Sequence, residues 1–247
     1  MAGMGYGRHF ATGSKAPPSP KQDVLRVYSM KFCPFAQRLK LVLAAKGVKH
    51  ETVNIDLSKK PEWYLEKNPR GLVPTIEING EIIYESDITA SYVDAVYSGR
   101  KLTTQDPMKK AKELILFGDN GKTVAGFYAV ITSPDNKEKQ AEGYKTLNTG
   151  LEKLDKFLSE EKTTFVGGEE PGFTDYMIWP HLERLSMYVG YTFSEYPNVK
   201  KYFDNMRKDK AVQACRLPNE LHEEFRASLR AKNTCYDIGI VEEYNFD

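Results

Sequence analysis

The 247-residue sequence is poor in features that would assign it to several large classes of protein. Its three cysteines, Cys33, Cys215 and Cys235, are too few and too scattered to form a disulfide framework. No apolar run approaches the roughly 18 residues that a membrane-spanning helix requires. Residues 1–23 also lack the apolar core of a signal peptide. We therefore expect a cytoplasmic protein, in a compartment that keeps thiols reduced, with no stable membrane insertion.

Charge and histidine content argue against two further kinds of partner. The formal net charge is only +1 and both signs are interspersed, so we expect no nucleic acid to bind. The four histidines, His9, His50, His181 and His222, show no spacing typical of metal ligands, and we expect no metal. No phosphate-binding loop or dinucleotide fingerprint occurs either.

The most informative stretch of the sequence surrounds Cys33. Residues 24–28 alternate and are rich in β-branched and aromatic side chains, which predicts a strand. Apolar residues at helical spacing from Leu39, ended by Gly47, predict a helix after it, with Pro34 at its first position. Cys33 would then face the unpaired N–H groups and the positive dipole end of that helix, which favour thiolate over thiol. A lone cysteine is more often an inert core residue, but this setting favours a reactive one.

The position three residues after Cys33 limits the redox chemistry. A dithiol site would carry its second cysteine there, and this sequence has Ala36. Cys33 therefore has no local thiol to resolve a disulfide that it forms. An external thiol, most simply glutathione, would have to release it.

The pattern of elements predicts an α/β domain followed by an all-α domain. Residues 24–97 read β-α-β-α-β-β-α, the order of a thioredoxin-like domain, with a hairpin turn at Asn79-Gly80. Residues 98–107 are predicted to be a linker, and residues 108–247 an all-helical bundle domain with an aperiodic tail. Residues 1–23, rich in Gly, Ser, Pro and Lys, are predicted to be a flexible extension, either mobile or loosely docked.

Several ordered motifs resemble those of the cytosolic glutathione transferases, and within them the omega class. They are Phe32-Cys33-Pro34-Phe35-Ala36-Gln37-Arg38, Lys60-Pro61-Glu62-Trp63, Asn68-Pro69 with Gly71-Leu72-Val73-Pro74, Tyr84-Glu85-Ser86, Ile178-Trp179-Pro180 and Glu183-Arg184-Leu185. The resemblance runs from about Leu25 to Gly239, which is most of the chain. It implies the glutathione transferase fold, with a thioredoxin-like domain and a C-terminal helical domain.

The resemblance implies a glutathione site in the first domain, formed by Phe35, Lys60, Val73, Pro74, Glu85 and Ser86. Val73, before a cis Pro74, would pair its backbone with the cysteinyl part of glutathione. Lys60 would meet the glycyl carboxylate. Glu85 and Ser86 would take the γ-glutamyl end, since a hydroxyl and N–H groups at a helix start suit a carboxylate. Without the resemblance, Ser86 would be an ordinary cap, Lys60 a solvated surface residue and Pro74 a trans proline.

The resemblance also implies a substrate cleft, lined by Trp179, Arg184, His222, Phe225 and Leu229. Omega-class proteins often carry aromatic residues on the late C-terminal helix. This sequence keeps Phe225 there but has His222 and Leu229 at two other such positions, so the resemblance does not fix the substrate. Trp179 fits a core position as well as a cleft wall.

The function that the resemblance implies is that of a homodimeric, glutathione-dependent thiol transferase with Cys33 as its monothiol nucleophile. Related activities would be deglutathionylation, dehydroascorbate reduction and methylarsonate reduction, with weak conjugation. A first alternative is a membrane-inserting protein like the intracellular chloride channels, which share a Cys-Pro-Phe turn. The segment that would insert is interrupted by basic residues, which argues against insertion; they are Lys31, Arg38, Lys40, Lys46 and Lys49. A second alternative is a non-catalytic binding protein on the same fold.

Overall fold

The computed structural model describes residues 7–240. Contacts divide the chain into two compact units. Among the described residues, one unit combines residues 7–99 with residues 215–240, and the other comprises Arg100–Ala214.

The first unit contains a four-stranded mixed sheet, which confirms the predicted thioredoxin-like domain. The strands lie in the order β2-β1-β3-β4, with β1 parallel to β2 and antiparallel to β3. Its elements in chain order are β1 (Arg26–Ser29), α1 (Pro34–Lys46), β2 (Glu51–Asn54), α2 (Glu62–Lys67), β3 (Thr75–Ile78), β4 (Glu81–Tyr84) and α3 (Ser86–Val96).

Local sequence explains where these elements begin and end. All four residues of β1 are buried, as expected for an inner strand covered on both faces. The predicted hairpin between β3 and β4 turns at Asn79 and Gly80, whose φ angles are 52° and 84°. Helix α1 ends at Gly47 in the left-handed conformation, which glycine adopts without steric strain.

The second unit is helical. Its helices are α4 (Pro107–Thr132), α5 (Lys137–Glu161), α6 (Phe173–Val189), α7 (Pro197–Met206) and α8 (Lys210–Cys215), the last of which ends at the boundary with the first unit. Helix α6 is buried along most of its length and forms the centre of this unit. Asp175 holds its start in place, because its carboxylate accepts hydrogen bonds from the backbone N–H groups of Val166, Gly167 and Gly172 at 2.7–2.9 Å.

Close contact between α4 and α5 depends on glycine. A Cβ atom on Gly150 would lie 2.1 Å from Thr123 Oγ1, and one on Gly126 would lie 2.4 Å from the carbonyl oxygen of Gly143. Both positions therefore require the absence of a side chain.

Two parts of the chain differ from the predicted domains. The helical domain was expected to run from 108 to 247, but helix α9 (Asn219–Arg230) and residues 231–240 belong to the first unit. The extension predicted to be flexible is paired with the sheet at Phe10, whose N–H donates to Asn54 O at 2.8 Å while Asp56 N–H donates to Phe10 O at 2.9 Å. The edge strand β2 offers unpaired backbone groups, which explains why a segment without periodicity docks there. Residues 1–6 and 241–247 of the predicted extension and tail lie outside the described residues.

Candidate active site around Cys33

Cys33 lies between the end of β1 and the start of α1. It is the N-cap of α1, with φ −71° and ψ 121°, and Pro34 is the first helical residue. Its N–H donates to Met30 O and its carbonyl accepts from Gln37 N–H, both at 3.0 Å. The side chain is 8% exposed and is not part of a disulfide. The thiol therefore sits at the helix end that favours a negative charge.

The loop before β3 lies against the Cys33 side chain. Cys33 Sγ is 4.0 Å from the carbonyl oxygen of Val73, and the Val73–Pro74 peptide bond is cis, as the resemblance implies. This places the Val73 backbone beside the thiol. A thiol compound that pairs with Val73 would bring its own sulfur close to Cys33.

Hydrogen bonds from α2 and the residue after it fix the loop that contains Val73. Tyr64 Oη and Asn68 Nδ2 both donate to Leu72 O, at 2.5 Å and 3.0 Å, and Asn68 Nδ2 also donates to Thr75 Oγ1 at 2.9 Å. Burial raises the pKa of Tyr64 to about 12, so its hydroxyl remains a donor at neutral pH. These residues position Val73, and sequence motifs alone gave no signal for Tyr64 in this role.

Lys60 lies next to the same loop. Gly71 has φ 59°, and a Cβ atom there would be 2.9 Å from Lys60 Cδ and 3.1 Å from Lys60 Nζ. The side chain of Lys60 therefore crosses the loop two residues before Val73. Lys60 as a whole is half-buried.

Glu85 and Ser86 are at the start of α3. Glu85 has φ 77°, which is uncommon for a residue with a side chain, and its carboxylate pairs with the guanidinium of Arg70. Ser86 is the first residue of the helix and not its cap, a position that Glu85 occupies. Backbone N–H groups at this helix start are available to an anion.

Arg38 connects Ser86 to the cysteine helix. Its Nη1 donates to Ser86 Oγ at 3.1 Å, and its guanidinium lies 4.9 Å from the centre of the Phe35 ring. Arg38 and Ser86 are 6% and 7% exposed. The predicted glutathione residues Phe35 and Ser86 are thus joined through one buried cation.

Residues from the C-terminal part of the first unit pack around the cysteine turn. The Phe32 ring stacks on Phe225, with centroids 4.3 Å apart and planes 11° apart, and His222 meets it edge-on at 5.6 Å. Leu217 and Ile238 belong to the same apolar cluster as Cys33. Leu217 precedes helix α9 and Ile238 lies in the aperiodic tail, so no periodic pattern indicated either residue.

Lys31, two residues before the cysteine, is tied to the same segment. Its ammonium donates to the carbonyl oxygens of Ile238 at 2.8 Å and Gly239 at 3.1 Å. Burial lowers the pKa of Lys31. The cysteine turn is therefore anchored to the C-terminal residues by a buried cation.

The other predicted cleft residues differ in exposure. Leu229, in the first unit, is 43% exposed. In the second unit Trp179 is fully buried against the Phe203 ring, at 5.0 Å, and Arg184 Nη1 donates to Pro180 O in its own helix. Both α6 residues thus have core contacts within their unit, which is compatible with the core alternative for Trp179.

Two features of the described residues bear on membrane insertion and metal binding. Between residues 7 and 240, no helix is both long enough and apolar enough to cross a bilayer. Over the same span, His, Cys, Asp and Glu side chains form no group of three or more that would hold a metal ion.

Comparison with known proteins matches both parts of the chain. Residues 27–101 match the family model described as the glutathione S-transferase N-terminal domain, and residues 137–205 match that of the C-terminal domain. Glutathione S-transferase omega-1 of Sus scrofa is 42% identical over 94% of both chains. Pyrimidodiazepine synthase of Drosophila melanogaster is 37% identical over 90% of this chain and 93% of the relative. A Tau class glutathione S-transferase from mango, of known structure, superimposes with a TM-score of 0.76 at 22% identity, over 84% of this chain and 99% of the other.

Proposed function

The chain belongs to the omega class of the glutathione S-transferase family, and we propose that it is a thiol transferase in which Cys33 is the nucleophile and glutathione the reductant. The observation that carries this proposal is the position of the Cys33 thiol, at the start of α1 and 4.0 Å from Val73 O. The absence of a second cysteine at Ala36 favours a monothiol mechanism. Related reductions, of dehydroascorbate and of methylarsonate, belong to the same proposal.

In the first step, the Cys33 thiolate attacks the glutathionyl sulfur of a mixed disulfide. The substrate's S–S bond breaks, the Cys33–glutathione disulfide forms, and the substrate leaves as a thiolate that takes a proton from water. Val73, beside Cys33, would hold the cysteinyl backbone of the glutathionyl group. Phe35 would line the site next to it.

In the second step, the thiolate of another glutathione attacks the sulfur of the glutathionyl group on Cys33. Oxidised glutathione leaves and the Cys33 thiolate is restored, so the substrate has gained two electrons. Lys60 would bind the glycyl carboxylate and the α3 start, with Glu85 and Ser86, would bind the γ-glutamyl end. Conjugation of electrophiles would be weak, because after reaction with a disulfide substrate Cys33 is held as its mixed disulfide with glutathione.

The test is glutathione-dependent reduction of the mixed disulfide of glutathione and 2-mercaptoethanol. We expect turnover by the wild type, loss of at least about 100-fold in Cys33→Ser, since the nucleophile is removed, and no loss in the matched variants Cys215→Ser and Cys235→Ser. Mass spectrometry of the wild type incubated with the mixed disulfide, but without free glutathione, should find one glutathionyl group on Cys33. Turnover that persists in Cys33→Ser, or conjugation by Cys33→Ala with no thiol transfer by the wild type, would contradict the proposal.

We also propose that the protein is cytoplasmic and acts as a homodimer, as is usual for its family. Light scattering after size-exclusion chromatography tests the dimer. A mass of one chain at micromolar concentration would overturn that part of the proposal and leave the thiol chemistry untouched.

A further inference from the structure

The N-terminal segment of residues 10–14 runs beside the residues that carry Lys60. Phe10 pairs with the edge of β2 through the two hydrogen bonds described above. Its ring also meets Trp63 edge-on, with centroids 5.7 Å apart. Phe10 therefore anchors the start of this segment to the sheet, next to the residues around Lys60.

After Phe10, the segment bonds to residues on both sides of Lys60. Thr12 N–H donates to Lys59 O at 2.7 Å, and Thr12 Oγ1 donates to Lys60 O at 3.2 Å. Gly13 N–H donates to Glu62 Oε2 at 3.0 Å. This last bond is the largest cause of the lowered pKa of Glu62, which remains an ionised acceptor at neutral pH.

Lys60 itself is positioned but has no internal partner. Among the described residues, its ammonium makes no hydrogen bond or ion pair, although its side chain lies across Gly71. Its backbone is held by Thr12. A lysine whose backbone is fixed and whose charge is unpaired is suited to meet an anionic ligand.

We propose that residues 10–14 are a positioning segment that holds Lys60 for the glycyl carboxylate of glutathione. The inference rests on the proposed function, because it takes glutathione as the ligand. Fixing the loop before the ligand arrives removes part of the ordering entropy that binding would otherwise oppose. The segment would thus increase affinity for one end of glutathione without contacting it.

The test compares two proline substitutions in the full chain. Thr12→Pro removes both Thr12 donors, while Ser19→Pro changes an exposed residue of the same extension that lies between Pro18 and Pro20. KM is measured for glutathione and for its glycyl monoethyl ester, which lacks the carboxylate. We expect Thr12→Pro to raise KM for glutathione about twofold to fivefold, the range of a solvent-exposed ion pair, with KM for the ester and kcat unchanged.

If residues 10–14 had a purely structural role, Thr12→Pro would change KM for glutathione and for its ester by the same factor. Equal increases in KM for glutathione and the ester, or no increase for either, would overturn the inference. In a Lys60→Met background, Thr12→Pro should have no further effect on KM for glutathione. If Thr12→Pro does not fold, as judged by its thermal transition, Glu62→Gln provides the same comparison by weakening the bond from Gly13.

The two proposals fail in different ways. If the wild type reduces no mixed disulfide with either thiol, the proposed function fails. Calorimetric binding of glutathione and the ester then tests the positioning segment alone, with the same expected difference between Thr12→Pro and Ser19→Pro.

Discussion

At the scale of single residues, the structure shows which group bonds to the Ser86 hydroxyl, and this could not be predicted from the sequence. Its oxygen accepts a hydrogen bond from Arg38, so its hydrogen is left to donate to another group. From sequence alone, Arg38 fits equally well as the partner of a carboxylate of the fold. In the structure this buried cation lies against Phe35 and Ser86, and it adds positive charge where a γ-glutamyl carboxylate would bind.

This arrangement predicts a specific loss of affinity. We expect Ser86→Ala and Arg38→Met each to raise KM for glutathione about tenfold, which corresponds to about 1.5 kcal/mol for a hydrogen bond to a charged group. Because the two side chains act together, the double variant should lose less binding free energy for glutathione than the sum of the two single losses. KM for cysteinylglycine, which lacks the γ-glutamyl group, should not change, and neither should any parameter of Ser91→Ala, an exposed serine of the same helix. Equal losses for both thiols would point to damage of the fold instead.

The protonation of His9 is also a residue-scale property. His9 is buried; its Nδ1 lies 2.9 Å from Asp237 Oδ1, and its Nε2 faces the N–H of Lys31 at 3.4 Å. This geometry fits the neutral ring with hydrogen on Nδ1. Burial lowers the pKa of His9 below 6.5, while Asp237 and Asp56 oppose that shift and Lys40 adds to it.

A lowered histidine pKa makes stability depend on pH in one direction. The contribution of His9 is fully present above its unfolded pKa of about 6.5 and is lost as pH falls toward the lower folded value. We expect the free energy of unfolding, from urea titration, to fall between pH 7.5 and pH 5.5 by more in the wild type than in His9→Asn. An equal fall in both proteins would show that His9 does not titrate with unfolding.

At the scale of elements, alanine substitutions at two glycines of helices α4 and α5 should change the free energy of unfolding in opposite directions. Gly150→Ala would place a Cβ atom 2.1 Å from Thr123 Oγ1 and 2.8 Å from Thr123 N, which forces the helices apart. We expect this to lower the free energy of unfolding by about 1–3 kcal/mol. Gly118→Ala, at an exposed site of α4 with open space, should raise it by about 0.5–1 kcal/mol because alanine favours the helix. Thermal melts of the two variants that shift in the same direction would contradict the packing.

The elements themselves were largely predictable because their signals are local. The strand before Cys33, the turn at Asn79-Gly80 and the stop at Gly47 each depend on a few adjacent residues. The docking of Phe10 onto β2 has no such signal, since it depends on the backbone of a distant strand, where Asn54 O accepts from Phe10 N–H. The sequence identified the region of Ser86 but placed it one residue off, as the cap of α3, because local signals define a helix start only to within one or two residues.

At the scale of the whole molecule, the two family models and the relatives agree with the predicted order of a thioredoxin-like and a helical domain. Sequence reasoning did not predict that the last described residues, from Cys215 to residue 240, belong to the first unit. Helix α9 follows the helical unit in the chain, but its Phe225 stacks on Phe32 of the first unit. The apolar pattern of a helix shows that one face is buried, but it does not show which distant residues that face contacts.

This allocation has a consequence for the order in which the molecule is made. During translation, β1, α1 and the Val73 loop leave the ribosome long before Leu217, Phe225 and Ile238. A nascent thioredoxin-like sheet would therefore expose the apolar side of the Cys33 turn until synthesis has passed residue 238. The turn beside the nucleophile becomes complete only when these two distant parts of the chain meet, a closure whose large sequence separation slows folding.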